Sequence, residues 1–375
     1  MKIIHLSDLH IGKMVNRISM LEEQRNAFNQ ITGYVKKEKP DAVIIAGDIY
    51  DRSAPGADAV CLFDDFLTEL ANEDTAVMIV SGNHDSPERI GYASRLLLDK
   101  NIYLCGAFNG TLENIVLTDE YGEVNFWLLP FIKPIYVRQL LKENETDNYE
   151  AALRAVLKTA NIDYSSRNVL LSHQFYTKNG ISPVRSESEM NPVGGLDAID
   201  AGLIKNFDYA ALGHLHGAQS AGSAHIRYAG SPIKYSFSEW QHKKSASLVE
   251  LNKKGSLKIT ELPLTPLRDM REIKGTIDEI MKTEASEDYM RIILTDEEEI
   301  IDPVGKLRSI FPNLMSLDFE NSRSCLDTII NNTEIPEKLS PYDLFMDFFL
   351  NTQGSAMTER QAEIVRELLE TEIET

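Results

Sequence analysis

Ala76-Val77-Met78-Ile79-Val80-Ser81-Gly82-Asn83-His84-Asp85 sets five apolar residues directly against a polar, glycine-containing turn. A short run without polar alternation reads as a strand covered on both faces, the habit of parallel sheets flanked by helices. The pattern stands twice upstream: Ile3 to Leu6 runs into Ser7-Asp8-Leu9-His10, and Ala42 to Ala46 runs into Gly47-Asp48. Between these runs, Leu21 to Lys37 and Ala59 to Leu70 have helical spacing, so residues 3–80 predict βαβαβ and a largely parallel layer. Sheets of this kind carry their sites at the carboxyl ends of strands, which brings the three polar turns together.

Downstream, Asn125 to Leu129 predicts a strand, Tyr149 to Thr159 a helix, and Asn168 to Leu171 a strand ending in Ser172-His173-Gln174. After a polar loop, Lys178 to Pro192, the strand Tyr209 to Leu212 runs into Gly213-His214-Leu215-His216. Ile226 to Ala229 and Ala246 to Leu251 are expected as strands of a more antiparallel half, closing near the prolines of Leu262 to Pro266. Beyond that point there is no histidine, and Met270 to Lys274, Thr276 to Lys282, Tyr289 to Leu294, Val304 to Ile310 and Leu314 to Phe319 read as β-α-β-α-β. Ser340-Pro341-Tyr342-Asp343 starts a helix by its capping residue and its proline at the first turn. Leu344, Phe345, Phe348 and Phe349 give that helix one apolar face, and a second helix from Thr358 has Ile364, Val365, Leu368, Leu369 and Ile373.

The 375 residues are 43% hydrophobic and 26% charged, which excludes a disordered chain, a collagen and a small disulfide scaffold, and suits two or three domains. With 38 Lys and Arg against 58 Asp and Glu, the net charge of -20 has the wrong sign for gripping nucleic acid through the overall field. A DNA substrate would need metal ions or a basic partner. Cys61, Cys105 and Cys325 show no CxxC spacing, and Met1 to Leu9 has no apolar signal core. No stretch is long and apolar enough to cross a membrane, so a soluble cytoplasmic protein is expected.

Singly, an Asp-x-His, a Gly-Asp or a His-x-His is weak evidence. Here five of eight histidines join Asp8, Asp48 and Asn83 in turns that each follow a strand. Oxygen and imidazole donors without thiolate suit Mn, Fe or Zn. A pair of ions about 3.5–4 Å apart needs a shared carboxylate and further ligands for each ion. Asp8, His10 and His216 could hold one ion, Asn83, His173 and His214 the other, and Asp48 could bridge. On a strand-end His-x-His, side chains two apart project the same way, so His214 and His216 are expected to reach neighbouring ions.

This series, Asp8-Leu9-His10, Gly47-Asp48, Gly82-Asn83-His84-Asp85, His173 and Gly213-His214-Leu215-His216, resembles the calcineurin-like metallophosphoesterase superfamily. Val193-Gly194-Gly195, Tyr228-Ala229-Gly230-Ser231-Pro232-Ile233 and Ser236-Phe237-Ser238-Glu239 extend the resemblance to the SbcD family, the nuclease subunits of bacterial SbcC and SbcD complexes. The resemblance implies an α/β fold, a metallophosphoesterase β-sandwich flanked by helices, over residues 1–265. It implies a small α+β capping domain over 266–330 and a C-terminal helical partner-binding segment over 331–375. It further implies two divalent ions, most simply Mn2+, and DNA as substrate. An SbcC-type ATPase with coiled coils is the implied partner, and the implied assembly is a homodimer within a heterotetramer, paired near Leu62 to Leu70 and Ser94 to Leu98. The tail from Asn331 has ten acidic residues against three basic, which suits a basic partner surface better than DNA.

Adjacent side chains diverge, so His84 cannot readily share an ion with Asn83 and is assigned to the transition state, as donor to the leaving oxygen. Asp51 is expected to orient His84 through a carboxylate–imidazole bond, and Asp85 to hold a ligand or loop. His5 is expected in the core, and His225 and His242 outside the site. Tyr34, Tyr103, Trp127 and Trp240 read as core aromatics. Lys13, Arg17, Arg52, Arg89, Lys178 and Arg185 are either phosphate contacts or scattered surface charge. Two other readings compete with the nuclease: a phosphodiesterase for a small molecule, which the acidic charge favours, and a scaffold without metal, which the full ligand set disfavours.

Overall fold

The computed structural model describes residues 1–142, 146–178, 180, 183–189 and 198–321, with isolated positions between 342 and 365. Val193-Gly194-Gly195 and most residues of the two expected C-terminal helices lie outside the described residues. The chain divides into two compact units, Met1–Asp269 and Met270–Thr375.

In the first unit the strands of the two large sheets are β1 (Lys2–Leu6), β2 (Ala42–Ala46), β3 (Ala76–Val80), β4 (Ile102–Cys105), β5 (Glu113–Asp119), β6 (Gly122–Leu129), β7 (Arg167–Ser172), β8 (Tyr209–Leu212), β9 (Gln219–Ser220), β10 (Ile226–Tyr228), β11 (Ser245–Leu251) and β12 (Leu257–Pro263). Two six-stranded sheets form among the described residues, in the orders β12-β11-β1-β2-β3-β4 and β9-β10-β8-β7-β6-β5. β1 to β4 run parallel, whereas β11 pairs antiparallel with β1. In the second sheet β6, β7, β8 and β10 run parallel.

Alternation within the apolar runs builds the layers. Ile3, Ala42, Ile44, Met78 and Val80 face Phe126, Leu128, Val169, Leu171, Tyr209 and Ala211 of the other sheet, forming the sandwich core. Ile4, Leu6, Val43 and Ile45 point the other way, onto Phe28 and Ile31 of helix α1 (Leu21–Glu38) and Phe66 and Leu70 of α2 (Ala57–Ala71). Leu170, Ala210 and Leu212 pack likewise on Leu153 and Val156 of α3 (Tyr149–Thr159). The central strands are therefore apolar on both faces, which is why they read as unbroken runs.

The expected antiparallel pairing holds for β11, which runs antiparallel to both β1 and β12, and is corrected for β10, which pairs parallel with β8 in the other sheet. β5 and β12 were not foreseen, because as edge strands they are partly exposed and carry polar residues.

The second unit holds β13 (Met270–Gly275), β14 (Tyr289–Leu294) and β15 (Leu314–Phe319) in one parallel sheet. Short helices Ile277–Ile280 and Pro303–Arg308 cover it with a core of Ile280, Met290, Ile292, Leu294, Leu307 and Phe311.

Candidate metal centre

The turns after β1, β2, β3, β7 and β8 meet at one end of the sandwich. The first two are joined by main-chain bonds, from the N–H of Asp8 to the carbonyl of Gly47 (3.0 Å) and from His10 to Asp48 (2.9 Å). The Asp85 carboxylate ties the second and third together, accepting from the N–H groups of Gly82 (2.8 Å), Tyr50 (2.9 Å) and Ile49 (3.1 Å). Glycine is required where the turns touch. A Cβ on Gly213 would strike the carbonyl of Ala46 and lie 2.6 Å from Nδ1 of His173, and one on Gly82 would strike the Asp48 carboxylate. Asp8, His10, Asp48 and His214 all have positive φ, between 41° and 101°, a backbone strain that concentrates here.

Asp48 sits in the middle. Its Oδ1 accepts the His84 N–H at 2.9 Å, while its Oδ2 lies 3.5 Å from Nε2 of His10 and 3.3 Å from Nε2 of His173. On one side, Nε2 of His10 and Nε2 of His216 face each other at 3.1 Å, with Asp8 in the same group. On the other, Oδ1 of Asn83 is 3.1 Å from both Nε2 of His173 and Nδ1 of His214. The seven residues Asp8, His10, Asp48, Asn83, His173, His214 and His216 thus meet in one place. His214 and His216 lie beyond β8, so their reach comes from an irregular turn with His214 at φ 101°, not from strand alternation.

Electrostatics favour a cation here. Burial holds the His10 imidazole well below its ordinary pKa and takes His214 down to about 3, leaving both as lone-pair donors. Burial would also lower His173, but the Asp48 and Asp8 carboxylates beside it raise it to about 9. Burial pushes Asp8 up to about 6. A buried pair of carboxylates that draws a proton onto a neighbouring imidazole is a site whose charge a metal ion would balance, and the donor set of carboxylate, amide oxygen and imidazole fits one.

His84 is half-buried, its ring 4.8 Å from that of His10. The expected carboxylate–imidazole bond from Asp51 is not formed: His84 Nδ1 lies 2.9 Å from the main-chain carbonyl of Asp51. The Asp51 carboxylate turns instead to the Lys13 ammonium at 2.7 Å. That pairing also removes Lys13 from the free basic residues. Arg185 stacks 3.7 Å from the Phe175 ring and Lys178 bonds the Gly222 carbonyl, whereas Arg17, Arg52 and Arg89 are exposed.

His5 is buried against the Tyr209 hydroxyl at 2.8 Å, and His225 meets the carbonyl of Lys205. Trp127 is core, its Nε1 donating to Asn168, but Trp240 is 37% exposed. Sequence reasoning missed Gln24, which donates to the His10 carbonyl at 2.8 Å, and Tyr235, which bonds the Leu9 carbonyl. It also gave no role to Ser188, Glu239 and Lys244, although Glu239 closes the Ser236-Phe237-Ser238-Glu239 motif.

Residues 1–218 match the family model described as calcineurin-like phosphoesterase, and residues 266–353 match one described as type 5 capsule protein repressor C-terminal domain. The chain is 31% identical to the SbcD component of the SbcCD nuclease of Staphylococcus epidermidis, over 98% of both chains, and 31% identical to that of Staphylococcus saprophyticus, again over 98% of both. A crystal structure of a dimetal phosphatase from Danio rerio aligns at 11% identity and TM-score 0.38, over 71% of this chain and 96% of that one. By the family model over residues 1–218 and by these relatives, matched over 98% of both chains, the chain belongs to the calcineurin-like phosphoesterases, in the SbcD family.

Proposed function

We propose that the chain is a metal-dependent DNA nuclease subunit, cutting double-stranded ends as an exonuclease and single strands or hairpins as an endonuclease, beside an SbcC-type ATPase. The observation that carries the reading is the convergence of six oxygen and nitrogen donor residues around Asp48. Asp8, His10 and His216 would hold one ion, Asn83, His173 and His214 the other, with Asp48 between them. Two divalent ions, Mn2+ in this reading, supply Lewis acidity toward the scissile phosphate and toward water. His84, with its Nδ1 proton held by the Asp51 carbonyl, would as the imidazolium have a second proton on Nε2 to give to the leaving oxygen. Asp85 holds two of the turns in register and so keeps Asp48 and His84 in place.

A homodimer is part of the proposal. Tyr92 and Leu96 are 81% and 79% exposed beside a cavity of about 540 Å³ lined by Val60, Phe63, Leu67 and Leu97, which supports pairing through this apolar face. The capping role of 266–330, the partner-binding role of 331–375 and a cytoplasmic setting are likewise proposed. Among the described residues no helix is long and apolar enough to cross a membrane. Removal of the residues after Lys338 is expected to leave hydrolysis of single strands intact and to abolish co-purification with the ATPase; retained complex formation would refute that placement.

The net charge of -20 favours one second reading, a phosphodiesterase for a small molecule. Hydrolysis of bis-p-nitrophenyl phosphate without cleavage of DNA, in the presence of the ATPase, would select it.

A further inference from the structure

Behind His216, on its Nδ1 side, lies a buried polar cluster that the proposed chemistry does not use. Lys244, only 8% exposed, donates to Oε2 of Glu239 (2.6 Å), Oγ of Ser231 (2.8 Å) and the carbonyl of His216 (2.9 Å), so all three ammonium protons are placed. Glu239 is wholly buried. Its Oε1 accepts from Ser188 Oγ at 2.7 Å and lies 3.3 Å from Nδ1 of His216, and Ser188 Oγ is itself 2.8 Å from that nitrogen. The His216 N–H donates to Glu189 Oε1 at 2.7 Å. Ser188 and Glu239 therefore meet the His216 imidazole, while Glu189 and Lys244 hold its main chain.

Its neighbours are held differently. His173 and His84 rest their Nδ1 on main-chain carbonyls, of Ala46 and Asp51, while His216 alone among the three meets a carboxylate. A carboxylate at Nδ1 keeps the proton on that nitrogen, turns the Nε2 lone pair toward His10 and makes it a stronger donor. Lys244 compensates the buried charge that this requires.

We infer that Glu239, held by Lys244 and Ser188, is a positioning residue for the ion that Asp8, His10 and His216 would bind, fixing the tautomer and direction of His216. This rests on the proposed reading of His216 as a ligand and adds that the two ions are unequally supported.

The test is calorimetric titration of the metal-free full chain with Mn2+, with thermal melting in parallel, on wild type, Glu239→Gln and the charge-balanced Glu239→Gln/Lys244→Met double variant. Wild type is expected to take up two ions. In both variants one ion should bind about 10–100-fold more weakly and the other unchanged, while the double variant regains the melting temperature that Glu239→Gln loses. If the double variant regains affinity together with melting temperature, or if Glu239→Gln binds both ions as wild type does, the pair only supports the fold and the inference is overturned. A wild-type chain that takes up fewer than two ions overturns the ligand reading itself, and the inference with it.

Discussion

Nε2 of His10 and Nε2 of His216 stand 3.1 Å apart between two buried rings. Burial holds His10 well below its ordinary pKa, so a lone pair faces its neighbour where a cation belongs. His10→Ala is expected to lower Mn2+ content from two ions to one per chain, measured by elemental analysis after desalting, and to cut hydrolysis by about 10³-fold. Two ions retained in that variant would remove His10 from the ligand set.

His84 predicts the opposite pattern. With its Nδ1 on the Asp51 carbonyl and no ion assigned to it, His84→Ala should keep both ions and lose about 10²–10⁴-fold in rate. Loss of metal in this variant would show that His84 acts as a ligand.

The metal-free protein should show a pH signature from His173, whose pKa is raised from 6.5 to about 9 by the carboxylates beside it. A group raised on folding stabilises fully below its unfolded pKa and ceases to do so as the pH passes its folded one. Stability of chelated protein should therefore weaken between about pH 6.5 and 9, by an amount of order 3 kcal/mol. With Mn2+ bound the ion takes the place of that proton, and the decline should disappear. An equal decline in both forms would place its origin elsewhere.

Gly213→Ala tests the close packing of the turns. The added Cβ meets main-chain oxygen of Ala46, which has no flexible end to yield, so the cost should exceed about 3 kcal/mol. A melting temperature within a few degrees of wild type would contradict the packing.

Ala42 to Ala46 and Ala76 to Val80 were legible because burial on both faces leaves no polar residue in the run, and the turns were legible because each candidate ligand stands within four residues of the end of its strand. Ser245–Leu251 was legible as a strand but not as a partner of β1, since nothing local in a strand names a neighbour more than 240 residues away. The Ser188, Glu239 and Lys244 cluster was illegible for the same reason: its bonds to His216 span 23 and 28 residues without any period. Asp51 was noticed, but which of its oxygens serves His84 depends on Lys13, a residue of another turn.

The most direct test of the proposed two-ion nuclease is cleavage of end-labelled linear duplex and hairpin DNA by the chain with the proposed SbcC-type ATPase, comparing Mn2+, Mg2+ and chelator, for wild type and His84→Ala. Metal-dependent cutting by wild type that vanishes with chelator and in the variant is the predicted result. DNA left intact by a wild-type chain that carries both ions, or cut equally by the variant, would contradict it.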